Sequence, residues 1–334
     1  MRAVQVKEFG GPQVLEVCEL PVPQPGPAEV LVDVEAADVM FLDARLRSGW
    51  GRDYFALSLP YVPGGAIGGV VGAVGTEVDP SWLGKRVVSP TAASGVGGGL
   101  PIGGYAEKSL AEAADLVEID AGVTTERAVA LSHDGPTALA VFDAADVRPG
   151  TWVLITAASG GLGTLLIQLS IAAGAQVVAA ARGTEKLSLA KRLGATAVVD
   201  YSADGWDTQV REITGGGAVV VFDGAGGDLG GRALATTADG GVFLGYGSAA
   251  GDFADGDTDA AVTRGVTVRG LFDMVGADTD WRALARRAQA AVAEGELEVV
   301  VGQTFPLEQV KRAHSVIENR TALGRTILTI GAAV

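Results

Sequence analysis

A chain of 334 residues, 48% hydrophobic and 19% charged, is long enough to bury the cores of two domains. Its formal charge of −15 argues against nucleic acid or an anionic membrane as a partner held by bulk electrostatics, while leaving room for local basic pockets. One cysteine, Cys18, excludes an intrachain disulfide, and with only two histidines the Cys/His zinc sites are nearly excluded as well.

The N-terminal stretch MRAVQVKEFGGP carries no apolar signal segment, so the expected location is the cytoplasm. Residues 1–124 read as a compact, irregular β domain. Ala3–Val6 and Val14–Leu20 are short strand candidates; Pro21, Pro23, Pro25 and Pro27 separate them from Glu29–Val34, a well-alternating strand. Phe41–Arg47 reads as one or two helical turns. Ala66–Val74 is an apolar strand studded with glycines, the signature of bulges or close crossings. Lys85–Val88 and Tyr105–Glu107 are further strand candidates, and Gly95–Gly99 is a loop with no strand and helix around it.

From about Thr124 the pattern changes to alternating helices and strands, expected as a nucleotide-binding domain over 125–270. A helix over Thr125–Asp143 leads to a buried strand, Trp152–Ala157. Ala158-Ser159-Gly160-Gly161-Leu162-Gly163 then makes a Gly-rich turn. Leu162, Leu165, Leu166 and Leu169 follow at i, i+3, i+4 and i+7, one face of a helix that Gly174 stops, and Gln176–Ala181 is the next strand. Strand, Gly turn, helix and strand form the βαβ context that a dinucleotide fingerprint requires. A small residue at Ala158 permits the sharp turn, Gly160 leaves room for a pyrophosphate, and Gly163 lets the helix approach the sheet, with the helix N-terminus facing the phosphates. The first glycine of the usual pattern is replaced by Ala158. The bland alternative is a turn that only packs a helix on a sheet. Pro149–Ala181 holds no charged residue, but its Thr, Ser, Gln and Gly residues fit buried parallel strands better than a membrane span.

After the fingerprint, Thr184 is read as the N-cap of a helix ending at Gly194. Ala197–Val199, a helix Trp206–Ile213, Ala218–Phe222, a helix Asp228–Ala235, Val242–Leu244 and Val266–Leu271 complete six strand candidates, suited to a doubly wound parallel sheet. The tail, with a helix Trp281–Ala293, a strand near Val299, a helix Leu307–Ile317 and a strand Thr326–Ile330, is expected to complete the first domain over 271–334. An acid normally ends the second strand and bonds the NAD ribose; here the sequence is Ala181-Arg182-Gly183. Arg182, with Lys186 one turn on, favours NADP(H) over NAD. The alternative is an exposed basic helix end.

The whole chain resembles the zinc-independent medium-chain dehydrogenase/reductase superfamily of the quinone oxidoreductase and ζ-crystallin type. The matching stretches include Pro25–Val32, Phe41–Asp43 with Arg47–Gly49, Leu59–Gly64, Gly103–Glu107, Ala157–Gly163, Leu193–Ala195 through Asp200-Tyr201, Phe222–Gly227, Ala313-His314 and Gly324-Arg325. The resemblance implies a GroES-like, mostly β catalytic domain, a Rossmann domain, a cleft between them, NADPH as cofactor and usually a homodimer formed along Rossmann edges. It implies that Tyr201 joins Arg182 and Lys186 at the 2′-phosphate. Ala225, Gly226, Tyr246, Gly247, Leu271 and Phe272 are implied to border the nicotinamide half, with Thr137 near the carboxamide and Arg325 near the cleft. The zinc-dependent Gly-His-Glu motif reads Gly64-Gly65-Ala66 here, and no cysteine stands in the lobe region. One departure falls at Met40, where many relatives carry an Asn that lines the substrate site.

Without a metal, the expected chemistry is hydride transfer from NADPH to a quinone or to the β-carbon of an enone. Tyr54, Tyr61, His133 and solvent are the candidate proton donors, and Met40, Trp50, Tyr54 and Phe272 could form an apolar slot for a flat acceptor. Each has a structural alternative: wall residues for the tyrosines, a loop brace for His133, core filler for Met40. His314 is expected in the core, Asp223 as a cap, and Asp43 with Arg47 as an i,i+4 ion pair. Two further functions stay open: an enoyl-thioester reductase acting on a CoA- or carrier-bound chain, and a non-catalytic NADPH-binding or sensing protein.

Overall fold

The computed structural model describes residues 1–51, 57–91, 102–276 and 279–331. Two compact units divide the chain: Met1–His133 with Ala285–Val334, and Asp134–Leu284.

The first unit opens with two antiparallel strands, β1 (Arg2–Val6) and β2 (Leu15–Glu19). β3 (Glu29–Val39) runs five residues beyond the alternating stretch in the sequence, because it pairs successively with three partners and register shifts at Leu31/Val32 and Val34/Ala36 let it bend. Its burial is nearly continuous, so alternation alone underestimates its length. The helix α1 (Phe41–Arg47) and the strand β4 (Ala66–Val74) fall where the sequence placed them. β5 (Arg86–Pro90), β6 (Lys108–Glu112) and β7 (Val117–Glu118) follow. Tyr105–Glu107 is not a strand: Ala106 makes only an isolated bridge to Ala3, and β6 begins at Lys108. The expected helix over Thr125–Asp143 is two helices, α2 (Thr125–Leu131) and α3 (Asp134–Asp143). Pro136 supplies the reason, since its missing N–H and its ring's clash with the carbonyl four residues back break a continuing helix. The Gly95–Gly99 loop lies outside the described residues.

The second unit holds a six-stranded parallel sheet. Its strands are β8 (Trp152–Ile155), β9 (Gln176–Ala181), β10 (Ala197–Asp200), β11 (Ala218–Asp223), β12 (Thr237–Gly245) and β13 (Thr267–Gly270). Their spatial order, β10-β9-β8-β11-β12-β13, is that of a Rossmann sheet, reversing direction between β8 and β11. The helices are α4 (Gly161–Ala172), α5 (Thr184–Arg192), α6 (Trp206–Thr214), α7 (Gly227–Ala235), α8 (Thr258–Thr263) and α9 (Leu271–Met274). Gly183, not Thr184, is the N-cap of α5, and Leu271 opens a helix instead of ending a strand. Leu154, Val178, Val199, Val221 and Phe243 pack with the fully buried Trp206, each large apolar side chain contributing about 1.5–3 kcal/mol.

The chain then runs through α10 (Trp281–Ala293) into the first unit. β14 (Val301–Pro306) starts two residues past the expected Val299, and a 3₁₀ turn over Leu307–Gln309 precedes α11 (Val310–Glu318) and β15 (Arg325–Thr329). β14 and β15 pair in parallel, and β15 pairs antiparallel with β3, completing a seven-stranded sheet. Among the described residues no helix is long and apolar enough to cross a membrane.

Candidate functional site

The Gly-rich turn lies at the carboxyl end of β8, beside the point where the strand order reverses, the location where such sheets bind ligands. β8 ends at Ile155, two residues earlier than expected. Thr156 turns its hydroxyl to Asp223 Oδ1 at 2.5 Å, and Ala157 adopts φ +49°. The left-handed residue of the turn is thus Ala157, a costly conformation for a side chain with a Cβ. Ala158 is fully buried, with its N–H on Ala180 O at 3.1 Å. Ser159 is buried beside it.

Gly163 and Gly160 play different parts. A Cβ at Gly163 would stand 2.7 Å from Ala157 O and 2.8 Å from two atoms of Ala158, so α4 approaches the turn as closely as backbone permits. A Cβ at Gly160 would meet only Ala157 O, at 3.4 Å. No protein atom accounts for that glycine; it keeps space clear in front of α4. Gly160 is the helix N-cap without a side-chain hydrogen bond, and the first turn, Gly161-Leu162-Gly163, contains no acid. The first turn of α4 therefore carries the positive end of the helix dipole with no acid of its own to complement it. These residues fit a pyrophosphate.

The turn after β9 carries the second set. Arg182 is exposed, and Lys186 lies within the first turn of α5. Tyr201 comes alongside because its N–H bonds Ala181 O at 3.2 Å, and its ring packs edge-on to Trp206 with centroids 6.4 Å apart.

The third set hangs on Asp223, at the end of β11. Its carboxylate accepts Ala225 N–H at 3.2 Å and Gly226 N–H at 3.1 Å as well as the Thr156 hydroxyl. It is therefore a cap, as expected, and it ties the ends of β8 and β11 together. Burial pushes its pKa up, against the hydrogen bonds that lower it. Tyr246 and Gly247 both donate their N–H to Asp223 O, at 2.9 and 3.2 Å, and the Tyr246 hydroxyl lies over Gly224, 2.6 Å from where a Cβ would stand. Ala225, Gly226, Tyr246 and Gly247 are thus brought together. Thr137 sits on α3 and Leu271 opens α9. Phe272 is 82% exposed, standing on the surface of its unit.

In the first unit, Met40 follows β3 as the N-cap of α1, is 8% exposed, and gives its N–H to Asp43 Oδ2 at 2.8 Å. Asp43 does not pair with Arg47. Its carboxylate accepts Met40 N–H, Gly64 N–H at 3.3 Å and the Tyr105 hydroxyl at 3.1 Å, and burial raises its pKa to about 6. Arg47, fully buried, turns to Glu318 and to His314 Nδ1 at 3.4 Å. An arginine only donates, so Nδ1 accepts and Nε2 carries the proton, which it gives to Tyr105 Oη at 3.2 Å. His314 is a core residue, held neutral by burial and the neighbouring Arg47, which lower its pKa to about 3.

Two of the expected site residues meet at an acid that sequence reasoning passed over. Asp38 is fully buried on β3, with Oδ2 3.5 Å from Arg325 Nη1 and 3.8 Å from His133 Nδ1. The His133 side chain keeps 29% exposure, yet the protein on its other sides and the positive Arg325 lower its pKa to about 4. It is a neutral imidazole at physiological pH. Tyr61 is enclosed in the β core at 3% exposure, and burial followed by the Asp43 charge pushes its pKa up. Trp50 is 43% exposed and stacked under Arg45, whose Cζ is 4.6 Å from the ring centroid. Tyr54 lies outside the described residues. Asp38 was legible only as an acid at the end of an apolar strand; its partners are remote in sequence.

Comparison with known proteins agrees with this architecture. Residues 26–121 match the alcohol dehydrogenase GroES-like domain, and residues 161–316 match the zinc-binding dehydrogenase family. A quinone oxidoreductase of Pseudomonas aeruginosa is 30% identical over 98% of this chain and 99% of its own. A 2-haloacrylate reductase of a Burkholderia species is 30% identical over 98% of each. The solved structure of an Escherichia coli quinone oxidoreductase complexed with NADPH superposes with TM-score 0.84 at 26% identity, covering 98% of this chain and 100% of that one. A Rossmann sheet with a nicotinamide-nucleotide cradle and a GroES-like β unit define a nicotinamide-dependent oxidoreductase acting on a small molecule. The chain belongs to the quinone oxidoreductase family of medium-chain dehydrogenases/reductases.

Proposed function

We propose that this protein is an NADPH-dependent reductase that delivers hydride, without zinc, to a quinone or to the β-carbon of an α,β-unsaturated carbonyl. The observation that carries the reading is the open space in front of the α4 N-terminus at Gly160, with Arg182 on the neighbouring β9 turn. NADPH, when bound, supplies the hydride. The N–H groups of Gly161, Leu162 and Gly163 hold its pyrophosphate. Arg182, Lys186 and Tyr201 receive the 2′-phosphate, and Asp223 fixes the loop of Ala225 and Gly226 that, with Tyr246, Gly247 and Leu271, borders the nicotinamide half. Thr137 is assigned to the carboxamide. Met40, Trp50 and Phe272 are apolar surfaces for a flat acceptor.

The proton that completes the reduction is assigned to solvent, and the neutral imidazole of His133 to hydrogen-bonding the acceptor oxygen. Its ring and Arg325 both lie beside Asp38, and Arg325 supplies positive charge for an oxygen that becomes anionic. Tyr61 is less suited, because its hydroxyl is enclosed in the β core. Support for a metal-free route comes from the composition: the one cysteine, Cys18, is on β2, and of the two histidines His314 has both ring nitrogens engaged. The relative that reduces 2-haloacrylate supports activated alkenes as acceptors. β13 is an outer strand of its sheet, which supports a homodimer through that edge, and the cytoplasm as location accords with the single cysteine.

The test follows the transferred atom. NADPH deuterated at C4 is reacted with a 2-enone, and the product is examined by NMR. Deuterium at the β-carbon supports the assignment. Cofactor consumption with no label in the product refutes it.

A further inference from the structure

The sequence places no acid at the end of β9, but the fold brings one there from the next strand. β10 pairs with β9 so that Asp200 stands beside Ala181, the residue before Arg182. From that register the Asp200 carboxylate reaches the β9 turn itself. Oδ2 accepts Gly183 N–H at 3.0 Å, and Oδ1 accepts Ser202 N–H at 2.9 Å and the Ser202 hydroxyl. Arg182 and these hydrogen bonds, the Ser202 hydroxyl foremost, lower its pKa, so it is ionised at neutral pH.

The charges around the turn follow from this. Arg182 and Lys186 are positive. Asp200 is negative, and so is Glu185, an exposed acid in the first turn of α5. Two cations and two carboxylates thus belong to this turn and the residues next to it. A 2′-phosphate, carrying close to two negative charges, gains from the first pair and is opposed by the second. A ribose 2′-hydroxyl is opposed by neither carboxylate and can donate to one, as it does to the acid at the end of the second strand in NAD-binding sheets. Asp200 also engages the Gly183 N–H, which an anion would otherwise take.

We infer that Asp200 is a cofactor-discriminating residue that opposes Arg182 across the β9 turn, so that the protein accepts NADH as well as NADPH and prefers the phosphorylated form only modestly. The inference rests on the nicotinamide-nucleotide reading of the Gly-rich turn. It adds that selection is a contest between two side chains rather than the property of Arg182.

The experiment is a pair of fluorescence titrations, NADPH and NADH, on the full chain and on Asp200→Asn and Glu185→Gln. Removing one carboxylate near a phosphate dianion raises the ratio of the NADH to the NADPH dissociation constant about tenfold in Asp200→Asn, and by about twofold to threefold in Glu185→Gln. The NADH constant itself stays within about twofold. An unchanged or reduced ratio in a folded Asp200→Asn overturns the inference, the second outcome meaning that Asp200 serves the phosphate by shaping the turn. Should that variant not fold, the unmodified protein still decides. With local charges cancelled, its ratio changes less than about twofold between about 20 and 300 mM salt, and a steep fall refutes the cancellation. Binding of neither cofactor to the unmodified protein refutes the nucleotide reading instead.

Discussion

Replacing Gly160 and Gly163 separately by alanine distinguishes a nucleotide cradle from a packing turn. Gly160 has φ −78° and ψ 173°, a conformation open to any residue, and its added methyl would meet one atom at 3.4 Å. Loss of glycine flexibility in the unfolded chain stabilises by about 0.4–1 kcal/mol, the poorer N-cap costs a few tenths, and the net change stays within about 1 kcal/mol. The methyl does occupy the space before the α4 N–H groups. Losing one charge-assisted hydrogen bond to a phosphate costs about 1.5–3 kcal/mol, a 10- to 150-fold rise in the NADPH dissociation constant. In Gly163→Ala the methyl would stand 2.7–2.8 Å from three backbone atoms, none of which can yield without moving α4 or the turn. Overpacking of that kind costs about 1–3 kcal/mol, so this variant melts several degrees lower even without cofactor. Calorimetry of the free proteins and fluorescence titration with NADPH read both quantities. A Gly160→Ala protein that binds NADPH normally would refute the cradle. One that melts like Gly163→Ala would show that the space is filled by the protein itself.

Arg182→Ala is expected to weaken NADPH about tenfold while leaving NADH within about twofold, read by the same titration. Asp38→Asn leaves Arg325, whose side chain is 14% exposed, without its carboxylate; urea unfolding should show a loss of about 3 kcal/mol, and no loss would mean the pair contributes nothing. His314 has a folded pKa of about 3 against 6.5 for the free side chain. Its neutral form is the one folding requires, so its contribution is intact above pH 6.5 and falls by about 1.4 kcal/mol per unit as pH drops toward 3. Asp43, raised to about 6, acts in the opposite direction, losing stability as pH rises from 3.8. The His314→Gln protein should therefore show a stability–pH slope lower by one proton between pH 6 and 4, with Asp43 unopposed, and an unchanged slope would contradict the buried neutral assignment. Prolonged treatment with a metal chelator should leave turnover unchanged; loss that zinc restores would overturn the metal-free route.

Much of the fold was legible because its signals are local. The bounds of α1, β4 and β9 come from continuous apolar runs and helical spacing, and six parallel strands from the alternation after Thr124. The errors arise where a distant partner decides. Tyr105–Glu107 has strand composition, but only Ala106 meets β1, while Lys108–Glu112 finds β3. Asp43 and Arg47 have the spacing of an ion pair on a surface helix, yet both face inward, and their partners are Tyr105, 62 residues from Asp43, and Glu318, 271 from Arg47. The same holds at the site. Gly160, Gly163 and Arg182 lie in one motif and could be read together. Within their own units Asp38 and Asp200 meet their partners only through strand pairing, β15 bringing Arg325 to Asp38 and β10 bringing Asp200 to the turn of Arg182, and no spacing rule in the sequence encodes that.

The central claim is tested most directly by following NADPH absorbance with the purified protein and four acceptors: a benzoquinone, a polycyclic ortho-quinone, a simple 2-enone and an enoyl-CoA. The account predicts NADPH consumption that depends on a quinone or the 2-enone and leaves the enoyl-CoA the poorest acceptor. NADPH that binds in a titration while no acceptor is reduced would contradict it and assign the protein to cofactor binding without catalysis.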